Sequence, residues 1–176
     1  MEWYDTVLNE GPGFDINSYY TACICRISFL FAVGKGEEAV RQQKARAESD
    51  PENSNEMDLL IASYIYADKI EEAYECFLKA VEKFPDAWVL YIHGGEACVK
   101  LKKYDEAIQY FDKAGAIGTP FCDELYCKAT LYEKIGNYKD AYRLYQEIAE
   151  KLRKNGYDIQ ADMAEESAKR LDMKKE

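Results

Sequence analysis

An acidic residue, an alanine and an apolar residue follow one another at Glu38-Ala39-Val40, Glu72-Ala73-Tyr74, Glu106-Ala107-Ile108 and Asp140-Ala141-Tyr142. The alanines, at 39, 73, 107 and 141, stand 34 residues apart each time, with no insertion or deletion. A motif this loose recurs by chance, but four copies at one fixed step do not. A step of this length marks a repeat architecture. Each unit is then one supersecondary element that buries its apolar face only against its neighbours.

Other positions keep the same step. The segment before each alanine reads Gly34-Lys35-Gly36, Asp68-Lys69-Ile70, Lys102-Lys103-Tyr104 and Gly136-Asn137-Tyr138. Four residues after the alanine stand Phe77, Phe111 and Tyr145, with Gln43 the misfit. Pro51 and Pro85 lie twelve residues after it, and Pro120 comes one place late. Between these turns the apolar spacing is helical: Tyr104, Ala107, Ile108, Phe111 and Ala114 step by three and four and share one helix face. An acid early in each of these helices suits the positive dipole end. The small alanine lets a neighbouring helix approach closely.

These residues resemble the tetratricopeptide repeat family, whose unit of 34 residues is helix–turn–helix with the pattern W-x2-L-G-x2-Y, A-x3-F and P. The resemblance covers residues 20–155 as four repeats, 20–53, 54–87, 88–121 and 122–155, of which the first is the most divergent. Leu60, Tyr64, Gly95, Ala129 and Tyr132 fit the family pattern of the first helix, whereas Arg26 and Lys128 stand where leucine is usual. The fold class it implies is all-α, a right-handed α-solenoid of four helix–turn–helix repeats with a C-terminal cap. Residues 156–176 are expected to supply that cap as a solvating helix, with Ile159, Ala161, Met163, Ala164, Ala168 and Leu171 as its apolar set. In residues 1–19, Trp3, Tyr4, Val7 and Leu8 suggest a short helix, ended by Gly11-Pro12-Gly13. The initial Met1 and the capping helix favour a whole protein over a fragment.

Charge narrows the partner. The net charge is −10, from 33 acidic and 23 basic side chains, which disfavours a phosphate backbone and an anionic membrane surface. The apolar run Ile27–Val33 is far shorter than the roughly 20 residues that span a bilayer. Six cysteines with no secretory signal before them read as reduced thiols in a cytoplasmic protein.

In the family, the first helix of each pair lines a concave groove through the second, fifth, ninth and twelfth positions of the repeat. The resemblance therefore implies a partner-binding face that includes Ile24, Phe31, Asp58, Ile65, Val89, Ile92, Glu96, Val99, Asp123, Tyr126, Thr130 and Glu133. None of the sixteen carried-over positions is lysine or arginine. The family's clamp for a C-terminal carboxylate uses Lys, Asn and Arg, so that mode is disfavoured. The expected partner is a protein or peptide segment with apolar side chains and room for lysine or arginine. Ile92, Val99 and Tyr126 are its anchors, and Asp58, Glu96, Asp123 and Glu133 its counter-charges. Some of these positions could equally be core. The first helix of repeat one is apolar nearly all round, and either the N-terminal segment or a second copy of the chain could cover it.

Sharper chemistry finds little support. His93 and Glu96 share a helix face, but Cys98 lies off it, and a metal needs three or four converging ligands. Cys23 and Cys25 diverge on a helix, and Cys122 and Cys127 read as packing residues. Gly94-Gly95 falls inside a helix rather than in a phosphate loop. No catalytic, cofactor or metal site is expected. The reading is a protein–protein adaptor or scaffold, with a self-assembling structural protein as the alternative.

Overall fold

The structure, a computed structural model, describes residues 16–174. Trp3, Tyr4, Val7, Leu8 and the Gly11-Pro12-Gly13 break lie outside the described residues. Within them every element is helical: α1 (Ile16–Ala32), α2 (Gly36–Ser49), α3 (Ser54–Tyr66), α4 (Ile70–Lys83), α5 (Trp88–Lys100), α6 (Tyr104–Ile117), α7 (Asp123–Lys134), α8 (Tyr138–Lys154) and α9 (Asp158–Leu171), with a 3₁₀ turn at Asp172–Lys174. The fold class is the expected one, all-α and built of helix–turn–helix pairs. The chain divides into two compact units, 1–85 and 86–176.

The turn inside each pair explains the 34-residue step. Gly34, Asp68, Lys102 and Gly136 all adopt positive φ, between 56° and 80°. The next residue's N–H then reaches back to a carbonyl of the first helix: Lys35 to Leu30, Lys69 to Tyr64, Lys103 to Cys98 and Asn137 to Tyr132. Glycine adopts this left-handed conformation without penalty, whereas the side chains of Asp68 and Lys102 bear a steric cost. The amide of each motif alanine then donates to the carbonyl four residues back, as from Ala39 to Lys35 and from Ala141 to Asn137, so each second helix starts at the same place.

In the N-terminal unit α1 packs on α2 and α3, and α3 on α2 and α4. Ala73, Phe77 and Ala80 form the buried stripe of α4. The misfit Gln43 is buried in α2, where its phenylalanine and tyrosine counterparts sit in the other repeats. Its amide donates to Glu56 Oε2 at 2.7 Å and to the Glu56 carbonyl at 3.2 Å. Arg46 closes the set by donating to the same carboxylate at 2.9 Å and 3.2 Å. A buried polar latch thus replaces the aromatic wedge at the α2–α3 contact.

In the C-terminal unit α5 packs on α6 and α7, and α7 on α6 and α8. Ala107, Phe111 and Ala114 of α6 are fully buried. A Cβ on Gly95 would lie inside contact distance of the Phe111 ring, so only glycine lets α5 and α6 approach this closely.

α9 forms where the cap was expected, but with a different face inward. Ala161, Ala164, Ala168 and Leu171 are buried against α8, whereas Ile159 and Met163 are 76% and 62% exposed. The reason lies in the turn. Gly156 has φ 80°, Tyr157 N–H donates to Leu152, and Ala161 N–H to Tyr157, which is the turn found inside the helical pairs. α9 therefore docks on α8 as a second helix docks on its own first helix.

Candidate partner-binding face

Four of the expected site residues lie in the N-terminal unit. Ile24 and Phe31 are half-buried against the cluster of Ala22, Cys23, Ile27 and Leu59. The Phe31 ring stacks on Tyr66, with centroids 5.8 Å apart, and covers Gly36, where a Cβ would collide with it. Ile65 is half-buried. Asp58 departs from its expected role: it is 0% exposed and accepts the hydroxyl proton of Tyr20. A carboxylate sealed between α1 and α3 joins helices and offers no charge to a partner.

The other eight residues lie on α5 and α7, two first helices in direct contact within the C-terminal unit. Ile92 is core, at 8% exposure, because α5 turns it inward with Tyr91 and Gly95; it is not an anchor open to a partner. Val89, Val99 and Tyr126 are half-buried, and Thr130 is exposed. Glu96 retains side-chain exposure and lies 3.9 Å from His93 Nε2. Asp123 opens α7, where the helix dipole favours a carboxylate, yet burial holds its pKa above the ordinary value against the pull of backbone hydrogen bonds. Lys128 is directed to α6, where it donates to Asp112 at 2.6 Å.

α9 contributes to this face, which the 34-residue pattern ending at residue 155 did not show. The Tyr126 hydroxyl donates to the Gln160 carbonyl at 3.5 Å, and its ring meets Tyr145 edge-on. Gln160 lies 34 residues beyond Tyr126, so extending the step by one more repeat would have found it. Met163, one turn further, shares that side of α9. Arg170 donates to Glu133 Oε1 at 2.8 Å, and Tyr145 donates to the same oxygen at 2.8 Å. Glu133 is therefore already paired within the chain and supplies no spare counter-charge. The acids of this face that meet no lysine or arginine among the described residues are Glu96 and Asp123.

The thiol chemistry is inert. The Cys127 pKa is pushed up to about 12, first by burial and then by Glu96, Asp123 and Glu124, which places acids of both helices around one point. Burial likewise raises Cys23 to about 12 and Cys76 to about 11. A thiol held neutral is a poor nucleophile and metal ligand. Among the described residues no group of three His, Cys, Asp or Glu side chains converges as a metal site requires. These shifts also fix a pH response. An unfolded thiol ionises at about pH 8.5. The folded values lie above that, so their stabilising effect is complete below about pH 8.5 and is lost as pH rises toward 12. The melting temperature is expected to fall from pH 8 to pH 10, and a Cys23→Ala/Cys127→Ala variant to show a shallower fall by circular dichroism. Equal slopes would contradict this origin.

No family model and no curated protein sequence matches the chain. Solved structures do. A thermophilic TPR protein of Thermus thermophilus, TTC0263, is 18% identical over 92% of this chain and 86% of that one, with a TM-score of 0.70. A tetratricopeptide repeat protein from Parabacteroides merdae is 16% identical over 98% and 68%, with a TM-score of 0.61. MamA is 22% identical over 83% and 94%, with a TM-score of 0.54. Among the described residues no helix is long and apolar enough to cross a membrane. The repeat step, the turn geometry and these likenesses agree: the chain has the fold of the tetratricopeptide repeat proteins.

Proposed function

We propose that the chain is a non-enzymatic, cytoplasmic adaptor or scaffold that holds a segment of another protein on the face formed by α5 and α7 and bordered by α9. The observation that carries this reading is the composition of that face. Val89, Val99, Tyr126 and Met163 offer apolar and aromatic surface, while Glu96 and Asp123 supply negative charge without an internal cation. Such a face suits a segment that alternates apolar residues with lysine or arginine, because charge complementarity adds specificity to apolar contact. Asp58 and Glu133, spent on internal bonds, take no part.

Glu96→Lys/Thr130→Lys tests this with little risk to folding, since Thr130 is exposed and Glu96 partly so. A partner captured by the wild type should bind the variant about tenfold or more weakly, roughly 1.4 kcal/mol. Equal affinity, with helicity intact, would move the site elsewhere.

The second reading, self-assembly, has its own observation. Phe29 of α1 is 46% exposed, whereas its equivalents in α3 and α7, Ser63 and Leu131, are 0% and 1% exposed.

A further inference from the structure

The self-assembly reading can be given an interface, because the two sides of a repeat-to-repeat junction each occur once without an occupant. Within the C-terminal unit, the junction of repeats three and four is complete. Asp112, Gly115 and Thr119, on α6 and the turn after it, seat Glu124 and Lys128 of α7. Lys128 donates to Asp112 at 2.6 Å, Thr119 donates to Glu124, and Gly115 leaves room for the Glu124 side chain. One repeat later the same positions are Gln146, Ala149 and Arg153 on α8.

No first helix follows in the ordinary way, because α9 docks through the within-pair turn. Those three residues, with Tyr142, Glu150, Ala168 and others, line an open groove of about 590 Å³ between α8 and α9.

The matching half lies on α1. Counting back three repeats, Lys128 and Leu131 of α7 become Arg26 and Phe29 of α1. Leu131 is buried, whereas Phe29 is 46% exposed, and Val33 one turn on is 49% exposed. Arg26 forms no ion pair among the described residues, and it is the sole charged residue of α1. The groove carries Glu150, one turn beyond Gln146, as an acceptor for it.

We propose that a second copy of this chain seats its α1 in the α8–α9 groove, with Phe29 and Val33 against the α8 stripe and Arg26 at Glu150. The interface is head-to-tail, so each copy offers one donor face and one acceptor groove. Assembly then proceeds to open chains or to a closed ring. The occupant is another copy because both surfaces have the repeat-to-repeat form, and their charges are complementary.

Sedimentation of the full chain from about 5 to 500 μM tests this, with helicity of each variant checked by circular dichroism. The wild type should gain mass with concentration. Phe29→Glu and Gln146→Lys, both at exposed positions, should each stay monomeric. Their mixture should form a heterodimer, because one intact α1 meets one intact groove. Arg26→Glu should weaken assembly about tenfold, and adding Glu150→Arg should restore it. A wild type that is monomeric throughout would overturn both the interface and the self-assembly reading. Assembly that persists in Phe29→Glu, or two blocked variants that do not complement, would overturn this interface while leaving self-assembly in place.

Discussion

Phe111→Ala is expected to cost about 3–5 kcal/mol, the usual range for removing a fully buried aromatic side chain. Phe111 is 1% exposed and fills the space between α5 and α6 that Gly95 leaves open. For a chain of this size the loss corresponds to roughly 6–20 °C in melting temperature. The reciprocal change is informative. Gly95→Ala gains about 1 kcal/mol of helix propensity but forces its Cβ into the Phe111 ring, an overpacking that costs about 1–3 kcal/mol. The two substitutions should therefore couple: Gly95→Ala is destabilising beside phenylalanine and neutral or stabilising beside Phe111→Ala. Denaturant unfolding of the four variants of this cycle measures the coupling directly. Strict additivity would mean that the glycine is there for another reason.

Glu56→Ala is the second large effect, expected at about 2–3 kcal/mol. Breaking a buried ion pair by removing one partner costs about 3–5 kcal/mol. Glu56 is buried, but the Arg46 side chain keeps 29% exposure and partly rehydrates, which lowers the figure. The buried Gln43 amide also loses its acceptor. Replacing the whole set by apolar residues, Gln43→Phe with Arg46→Leu and Glu56→Leu, should recover most of the loss, because no buried charge remains. The measurement is the guanidinium midpoint by circular dichroism. A single substitution as mild as a surface change would show that the latch contributes nothing.

The second helices were legible in the sequence because their physics is local. The left-handed turn, the motif alanine and the aromatic four residues on are fixed within one helical pair, and the 34-residue step repeats them. What escaped depends on packing between pairs. Gln43 read as a misfit because nothing near it in sequence announces Glu56, thirteen residues away on the next helix. Asp58 and Ile92 fell on positions that the family turns toward a partner, yet burial makes one a sealed hydrogen-bond acceptor and the other core. The orientation of α9 was missed because Asn155-Gly156-Tyr157 brings the within-pair turn 20 residues after Gly136, outside the 34-residue step. That shift turned Ile159 and Met163 outward and brought Arg170 to Glu133.

The central claim is that the α5–α7 face, with its α9 border, is where a partner is held. Hydroxyl-radical footprinting of the chain, free and bound to the protein it captures, tests it most directly. Protection of Val99, Tyr126 and Met163, with Leu78 and Tyr110 unchanged, is the expected result. Protection of Leu78 or Tyr110 while Val99 and Tyr126 stay as reactive as in the free chain would contradict it.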